Sequence, residues 1–373
     1  MSLNAPSFTA QSRVMVIAPH PDDESLACSV VVQRAVRAGA RVRVIYATAG
    51  DNNPWPQRAI ERKWRLTELD RARWGQRRRQ ETLAALEALG VSGSNVYFLG
   101  LPDQGLTNLL LSGCAHTLNR LTQCITKWAP TDMFWPDISD IHPDHSALAV
   151  MLRLMSETLP LNRFRQPSVW NFLVHGDSPE FFRRAVMIRQ TSGETVAKLT
   201  AINCHHSQLN LSRRRFIAYA GRPEFFAPYQ LNGSRQNAVL GGSRTENGFC
   251  VTVPPVSRRL LHRAPNLFLL GHTPSGELQS LLLPIDLRGR VSKMFDTAVN
   301  EYIGVVRSKG NVFTGLEVEL PPNVFARDRS VYLKLERRRI FFDEAGWIDA
   351  TEPAELMPSA EAEIDGELSL AVS

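Results

Sequence analysis

The sequence predicts an α/β protein: a Rossmann-like parallel sheet with helices on both faces, followed by a smaller β-rich domain. Over the first 230 residues, short apolar runs alternate with helical patterns, which is typical of βαβ units in a parallel sheet. After about residue 235 the apolar runs are short, β-type and separated by Pro, Gly, Asn and Ser. The 373 residues are enough for about two domains.

The N-terminal elements follow from these runs in chain order. Predicted strands are Arg13–Pro19, Arg41–Thr48, Asn95–Gly100, Asp132–Pro136 and Ser168–His175. Predicted helices are Glu24–Ala38, Gly75–Leu89, Thr117–Trp128, Pro143–Thr158 and Gly193–Leu211. If the strand order is 3-2-1-4-5, the first and fourth strands are neighbours where the order reverses, and their carboxyl ends face one crevice.

The C-terminal runs are expected to form the β-rich domain. They are Phe249–Val256, Asn266–Gly271, Ser280–Ile285, Tyr302–Val306, Gly315–Leu320 and Val331–Leu335. We expect an N-terminal domain over residues 1–235, a β-rich accessory domain over 244–350, and a partly disordered acidic tail over 351–373.

Two short polar segments follow predicted strands. His20-Pro21-Asp22-Asp23-Glu24 comes after the first strand, and His142-Pro143-Asp144-His145 comes after the fourth. Together they could supply three nitrogen and oxygen ligands with one open position, as in a catalytic zinc site. Asp22 and Asp23 at a helix start point about 100° apart, so one could bind metal while the other reaches water. Either segment alone also fits a helix N-cap with an incidental histidine.

These residues resemble those of the LmbE/PIG-L family of zinc-dependent N-acetylglucosaminyl deacetylases. The resemblance covers about residues 12–230 and includes further matches in the same order: Thr48–Asp51, Arg78 with Glu81, Phe98–Asp103 and His206–Gln208. It departs from the family in a long, basic segment behind the second strand and in the β-rich extension.

The resemblance implies roles for individual residues. His20, Asp23 and His145 would bind Zn²⁺, or another divalent metal. Asp22 would be the general base, and a cationic His142 would stabilise the oxyanion. The positions that match substrate-binding residues of the family are Arg78, Asp103 and Asp51. Two other histidines, His116 and His175, are expected to be core or surface groups rather than ligands.

The net charge of +6 is unevenly distributed. Residues 54–80 contain nine Arg and Lys against three Asp and Glu, while residues 343–373 contain nine acidic residues and no basic ones. The basic segment, with its three Trp, could be a solvated helix, a flap over the crevice or a nucleic-acid contact. We expect no nucleic-acid partner, and the flap hypothesis favours an anionic substrate group.

The sequence therefore predicts a metal-dependent hydrolase that removes the N-acetyl group from an N-acetylglucosamine-type conjugate. The alternatives are the same hydrolysis on a non-sugar acylated natural product, or a non-catalytic, metal-containing glycan-binding protein. Five scattered cysteines and no secretory signal predict a cytoplasmic location. No apolar run reaches the roughly 18 residues of a transmembrane span, and a homo-oligomer is left open.

Overall fold

A computed structural model describes residues 4–158, 166–229, 237, 239–245, 248–255, 265–285, 291–311, 315–321, 324–336, 338–339 and 341–350. They form two large sheets. The predicted acidic tail, 351–373, lies outside the described residues. The two sheets span residues 13–228 and 241–349, and on this basis we keep the division into domains 1–235 and 244–350 as a proposal.

The first sheet has seven strands in the order β3-β2-β1-β4-β5-β7-β6. Strands β1 to β5 are parallel, and β7 runs antiparallel to both β5 and β6. The predicted order 3-2-1-4-5 is confirmed, and β1 pairs directly with β4 where the order reverses. The strands are β1 Arg13–Ala18, β2 Arg41–Thr48, β3 Val96–Leu101, β4 Asp132–Pro136, β5 Ser168–Phe172, β6 Val186–Ile188 and β7 Glu224–Pro228.

Helices cover both faces of this sheet, as predicted. Alternate β1 residues point to opposite sides: Val14 and Val16 pack with α1, α2, α4, α9 and α10, whereas Met15 and Ile17 pack with α5, α6 and α7. The helices are α1 Asp23–Ala27, α2 Ser29–Arg37, α3 Pro54–Glu61, α4 Glu68–Ala88, α5 Leu106–Leu111, α6 Ala115–Trp128, α7 Pro143–Thr158, α8 Pro179–Arg184, α9 Ser192–Cys204 and α10 His206–Ala220. In the described part of the chain, no helix has the length and apolar character to cross a membrane.

The second sheet is antiparallel and has nine strands in the order β18-β15-β10-β11-β12-β13-β14-β9-β8. Side chains from β9 and β14 share a core with those of the distant β10 and β15, so the sheet curves around its own apolar face. The strands are β8 Gly241–Thr245, β9 Gly248–Val253, β10 Asn266–His272, β11 Leu278–Pro284, β12 Val291–Asp296, β13 Glu301–Asn311, β14 Gly315–Leu320, β15 Val331–Glu336, β16 Arg338–Arg339, β17 Phe342–Asp343 and β18 Ile348–Asp349, with β16 and β17 forming a separate hairpin.

The two sheets share helix α7. Its residues from 144 to 155 are all buried, because the first sheet covers one side while Phe268, Leu270, Tyr332 and Trp347 of the second sheet join the same apolar cluster. A buried ion pair between Arg153 of α7 and Asp349 crosses the contact at 3.2 Å.

Several element boundaries differ from the sequence predictions. The helix predicted over 24–38 is broken at Cys28, whose backbone (φ −128°, ψ 4°) is not helical. The helix predicted over 193–211 is two helices that meet at His205. The supposed long loop behind β2 contains α3 and the first turns of α4, which begins in a capping box between Thr67 and Asp70. The strand predicted to reach His175 ends at Phe172.

Candidate metal and active site

The two polar segments meet at the carboxyl ends of β1 and β4. Because these strands pair in parallel register, the loop after Ala18 and the loop after Pro136 leave the sheet at the same edge. His20 lies in the first loop, Asp23 begins α1, and His145 lies in the first turn of α7. All three side chains are buried.

Three atoms of these residues form a small triangle. The Nδ1 atom of His20 is 3.2 Å from Nε2 of His145, and the Oδ2 atom of Asp23 is 3.5 Å and 3.3 Å from these two nitrogens. Ligand atoms about 2.0–2.1 Å from a tetrahedral Zn²⁺ lie about 3.3–3.4 Å from each other. The residues present therefore fit a metal ion with two imidazole ligands and one carboxylate ligand.

Carboxylates lie behind both histidines. Nε2 of His20 is 3.2 Å from Oδ1 of Asp103 and 3.1 Å from Oδ2 of Asp144. Nδ1 of His145 is 3.1 Å from Oδ2 of Asp140. An acidic partner on the far nitrogen fixes the tautomer and the ring orientation of a metal-binding histidine.

The acidic side chains around His145 stabilise its protonated form. Burial opposes the charged form of His145, but Asp23 and Asp140 raise its pKa to about 9. A proton there holds the place that a cation would take, since a metal ion must displace protons from its ligands.

Asp22 lies beside the triangle in an unusual backbone conformation, with φ 126° and ψ −27°. Its N–H donates to Oε2 of Glu24 (3.1 Å), and its Oδ2 accepts a hydrogen bond from Nη2 of Arg78 (2.9 Å). Burial raises the pKa of Asp22 to about 6, although the guanidinium of Arg78 opposes the shift. A buried carboxyl group with a raised pKa and a strained backbone is a candidate general base.

Arg78 reaches Asp22 from α4. Its Nη1 donates to the carbonyl oxygen of Gly50 at 2.9 Å, and its Nη2 donates to the carbonyl oxygen of Pro21 as well as to Asp22. Gly50 has φ +63°, and a Cβ atom there would overlap the guanidinium. The turn after β2 therefore requires glycine, and it aims Arg78 at the candidate base.

His142 is oriented by the backbone. Its Nδ1 accepts a hydrogen bond from the Asp144 N–H at 3.2 Å, so the neutral ring carries its proton on Nε2. Burial, together with the neighbouring His20, His145 and His175, lowers the pKa of His142 well below its usual range. These surroundings favour the neutral ring, whereas the sequence analysis expects a cationic His142, whose role stays a prediction.

A cavity of about 360 Å³ opens over this cluster, within the usual range for a small-molecule site. Its buried end is polar. Its outer end contains apolar side chains of α3, α10 and the loop before β17, together with the exposed polar residues Gln104, Asn108 and Arg215. The residues that carry the polar and apolar character are His20, Asp22, Asp103, His142, Trp55, Leu211, Phe216 and Phe341.

Two of the three predicted substrate-binding residues line the cavity, and the third does not. Arg78 and Asp103 line the cavity, but both also contact predicted site residues, Asp22 and His20. Asp51 is half-buried and is not among the cavity-lining residues; its Cβ faces Gly75 of α4 instead. The structure thus gives Asp51 no place in the cavity wall.

The basic segment 54–80 contributes to the cavity mainly through aromatic and apolar groups. Trp55 and Pro56 line it, and Arg78 is the lining residue of this segment that carries a charge. Arg58 stacks on the rings of Trp55 and Trp64 at 5.3 and 5.0 Å. Arg78 is thus the one charged residue of this segment in the cavity wall, and the anionic substrate group stays a prediction.

Sequence reasoning missed two residues of the site, Asp140 and His175. Asp140 accepts hydrogen bonds from the Val174 and His175 N–H groups as well as facing His145. His175, which was expected to be a core or surface group, lies with Asp23 and His145 in a group able to hold a metal, and its ring packs against Phe342 at 5.1 Å. The signal for His175 was its position just beyond β5, the strand next to β4.

Residues 15–155 match the family model described as PIG-L, GlcNAc-PI de-N-acetylase. This match spans less than half of the chain. The match covers both histidine-containing segments, and it confirms the LmbE/PIG-L resemblance seen in the sequence.

Solved structures resemble the PIG-L part at low identity. They include N,N'-diacetylchitobiose deacetylase from Pyrococcus horikoshii (20% identity, 58% of this chain and 84% of that chain, TM-score 0.45). A deacetylase mutant of the teicoplanin biosynthetic pathway has 20% identity over 58% and 97%, with a TM-score of 0.44. The 4-carboxy-2-hydroxymuconate hydratase from Pseudomonas putida has 16% identity over 61% and 100%, with a TM-score of 0.43.

Proposed function

We propose that this chain is a zinc-dependent hydrolase that removes the N-acetyl group from an N-acetylglucosamine-type conjugate. The observation that carries the proposal is the triangle of His20 Nδ1, His145 Nε2 and Asp23 Oδ2, with the carboxylate of Asp22 beside it. Zn²⁺ held by these three atoms would act as a Lewis acid toward the amide carbonyl and the attacking water. The match to the PIG-L family model supports the choice of amide and sugar.

Asp22 moves the proton in this scheme. Arg78 holds its Oδ2, which leaves Oδ1 to take a proton from the attacking water. The water oxygen forms the new bond to the acyl carbon, the C–N bond breaks, and Asp22 returns the proton to the departing nitrogen. Acetate and a free amine are the products.

His142 stabilises the developing negative charge. Because its Nδ1 accepts from the Asp144 backbone, its Nε2–H is free to donate a hydrogen bond to the oxyanion. A neutral donor can serve this purpose, since the Asp144 N–H and the rings of His20, His145, His175 and Phe342 hold the His142 ring in place.

The location and cofactor are part of the proposal. Zn²⁺ matches the nitrogen and oxygen donor set, while other divalent ions share it. We keep the cytoplasmic location inferred from cysteine usage; Cys28, Cys114, Cys124, Cys204 and Cys250 are all free thiols.

Two variants test the mechanism in the full chain. Asp22→Asn should keep bound zinc but lose at least about 100-fold in kcat, because the proton acceptor is gone. His145→Ala should lose both zinc and activity. Metal content, and acetate release from N-acetylglucosaminides, measure the two effects.

His116→Ala is the matched control, since His116 is an exposed histidine on α6 and should leave zinc content and activity unchanged. Full activity in Asp22→Asn would overturn the mechanism. A zinc-loaded chain that releases acetate from no N-acetylated sugar or natural product would overturn the proposed function.

A further inference from the structure

Three large apolar side chains with exposed surface line the mouth of the cavity. Trp55 of α3 is 46% exposed, Leu211 of α10 is 53% exposed, and Phe341 before β17 is 46% exposed. They come from three distant parts of the chain, and we refer to Trp55, Leu211 and Phe341 as the apolar rim. Exposed apolar groups gathered at one cavity mark a binding surface more often than isolated ones do.

The cavity changes polarity between its buried end and the apolar rim. Asp22, Asp103 and His20 at the buried end are each less than a tenth exposed. A ligand that fits both ends has hydroxyl or amide groups at one end and an apolar group at the other. Polar groups that fix orientation inside an otherwise apolar wall are typical of specific small-molecule sites.

The C-terminal part of the rim is held firmly against the metal site. The Asp343 N–H donates to the Ile141 carbonyl oxygen at 2.9 Å, and a Cβ atom on Gly346 would overlap the carbonyl oxygen of Ile138. The ring of Phe342 contacts His175 and His142, with centroids 5.1 and 5.7 Å apart. Phe341 therefore projects from a segment that is packed directly on the candidate active site.

The cavity offers little to an anionic group. Its two arginines already have partners: Arg78 donates to Asp22, and Arg215 lies 3.0 Å from Nδ1 of His175 and over the ring of Phe342. The carboxylates of Asp22, Asp23, Asp103 and Asp144 also line the wall. An aromatic or alkyl group matches the rim better than a phosphate would.

We propose that the apolar rim selects substrates whose amino sugar carries an aryl or alkyl aglycone, with Phe341, which lies just before the C-terminal hairpin strand β17, as a specificity-determining residue. The inference rests on the proposed function, because the N-acetyl sugar occupies the polar end beside Asp22. The aglycone then extends outward between Trp55, Leu211 and Phe341. Its burial there favours substrate binding and lowers KM.

The test compares phenyl and methyl β-glycosides of N-acetylglucosamine with the zinc-loaded full chain. We expect kcat/KM to be at least about tenfold higher for the phenyl glycoside, mainly through KM, because an aromatic ring leaves water. In Phe341→Ser the phenyl-to-methyl ratio should fall about tenfold. Leu211→Ser, on a different element, should lower the ratio in the same direction.

Tyr302→Ser is the control, because Tyr302 is an exposed aromatic residue on β13 of the same sheet and does not line the cavity. Its ratio should match that of the unmodified chain. Equal kcat/KM for both glycosides, or a ratio unchanged in both Phe341→Ser and Leu211→Ser, would overturn the inference while leaving the proposed function standing. So would a preference that follows acyl length, in N-butyryl against N-acetyl substrates, and ignores the aglycone.

The absence of any turnover would instead count against the proposed function. Calorimetric measurement of the binding of the two glycosides to the zinc-loaded chain then tests separately whether the apolar rim binds the aglycone. Tighter binding of the phenyl glycoside that weakens about tenfold in Phe341→Ser supports the rim, and equal binding of both glycosides rejects it.

Discussion

The buried charged groups of the two sheets are arranged in different ways. At the carboxyl edge of the first sheet, Asp23, Asp140 and His145 are buried with ligand atoms facing one point. In the second sheet, Lys334 pairs with Asp343, a buried pair close to the contact with the first sheet. The first group is a site that a cation can complete, whereas the second is a closed ion pair.

Strand direction accounts for this difference. The parallel strands β1, β4 and β5 all end at the same edge, so the loops that follow them bring polar residues together. The antiparallel strands of the second sheet end alternately at opposite edges, so they cannot collect ligands in this way. The C-terminal part contributes packing and one residue of the apolar rim, Phe341, whereas the loops of the first sheet carry the candidate metal ligands.

The largest expected effect is at the carboxylate behind His145. Asp140→Asn replaces one acceptor oxygen by a donor that faces the His145 ring and the Val174 and His175 N–H groups. Metal affinity should fall about 10- to 100-fold, as measured by titration against a competing chelator. Asp137→Asn is the control, since Asp137 is a buried acid in the same loop that contacts Ser139 and Arg184 instead. Equal losses in both variants would contradict a role for Asp140 in orienting His145.

A smaller effect is expected where the second sheet meets the site. Gly346→Ala places a methyl group against the backbone of residues 138–140, which has no flexible end to move aside. We expect a loss of about 1–3 kcal/mol in the free energy of unfolding, measured by denaturant titration. Gly221→Ala should be nearly neutral, because φ there is −89° and its Cβ would meet open space. Loss of zinc binding in Gly346→Ala would contradict the view that the C-terminal part contributes packing and the first sheet contributes the metal ligands.

The smallest effect concerns acid stability. Glu194 on α9 pairs with Arg34 at 3.0 Å, and this contact lowers the pKa of Glu194 from 4.5 to about 2. Since the folded pKa lies below the unfolded one, the carboxylate stabilises the fold above pH 4.5, and that contribution disappears as the pH falls from 4.5 to 2. Glu194→Gln should therefore lower Tm near neutral pH and lose its difference from the unmodified chain as the pH approaches 2.

An exposed ion pair of the second sheet is the control for the Glu194 measurement. Glu319 pairs with Lys309 across β13 and β14, but the two side chains are 60% and 71% exposed. Glu319→Gln should change Tm little at any pH, because exposed ion pairs are screened by solvent. A pH-dependent shift as large as that of Glu194→Gln would show that burial is not what separates the two pairs.

Sequence reasoning worked where one local signal decided the outcome. Strands Arg41–Thr48 and Asp132–Pro136 have the predicted bounds, because apolar runs between polar flanks are strong signals. The meeting of His20 with His145 followed from the strand order. The start of α4 was missed because its arginine-rich first turns lack an apolar stripe, although Thr67 and Asp70 form a capping box there.

Contacts between elements that are distant in the sequence could not be predicted from local sequence patterns. The break between α9 and α10 occurs at His205, whose ring lies 3.1 Å from Ser25 and 3.3 Å from Glu24 of α1. Phe342 meets His175 because strand β17 packs on the loop after β4, where the Asp343 N–H donates to the Ile141 carbonyl oxygen. Neither contact leaves a periodic trace in the sequence, since each depends on how whole elements pack.

Helix α7 links the unfolding of the two parts of the molecule. Twelve consecutive residues of it are buried, and the partners that bury them belong to both sheets. Cutting the chain between the sheets would leave an apolar helix face open to water on the very element that carries His145. We therefore expect the two parts to unfold as one cooperative unit, and the part that carries His145 to be unstable when it is expressed alone.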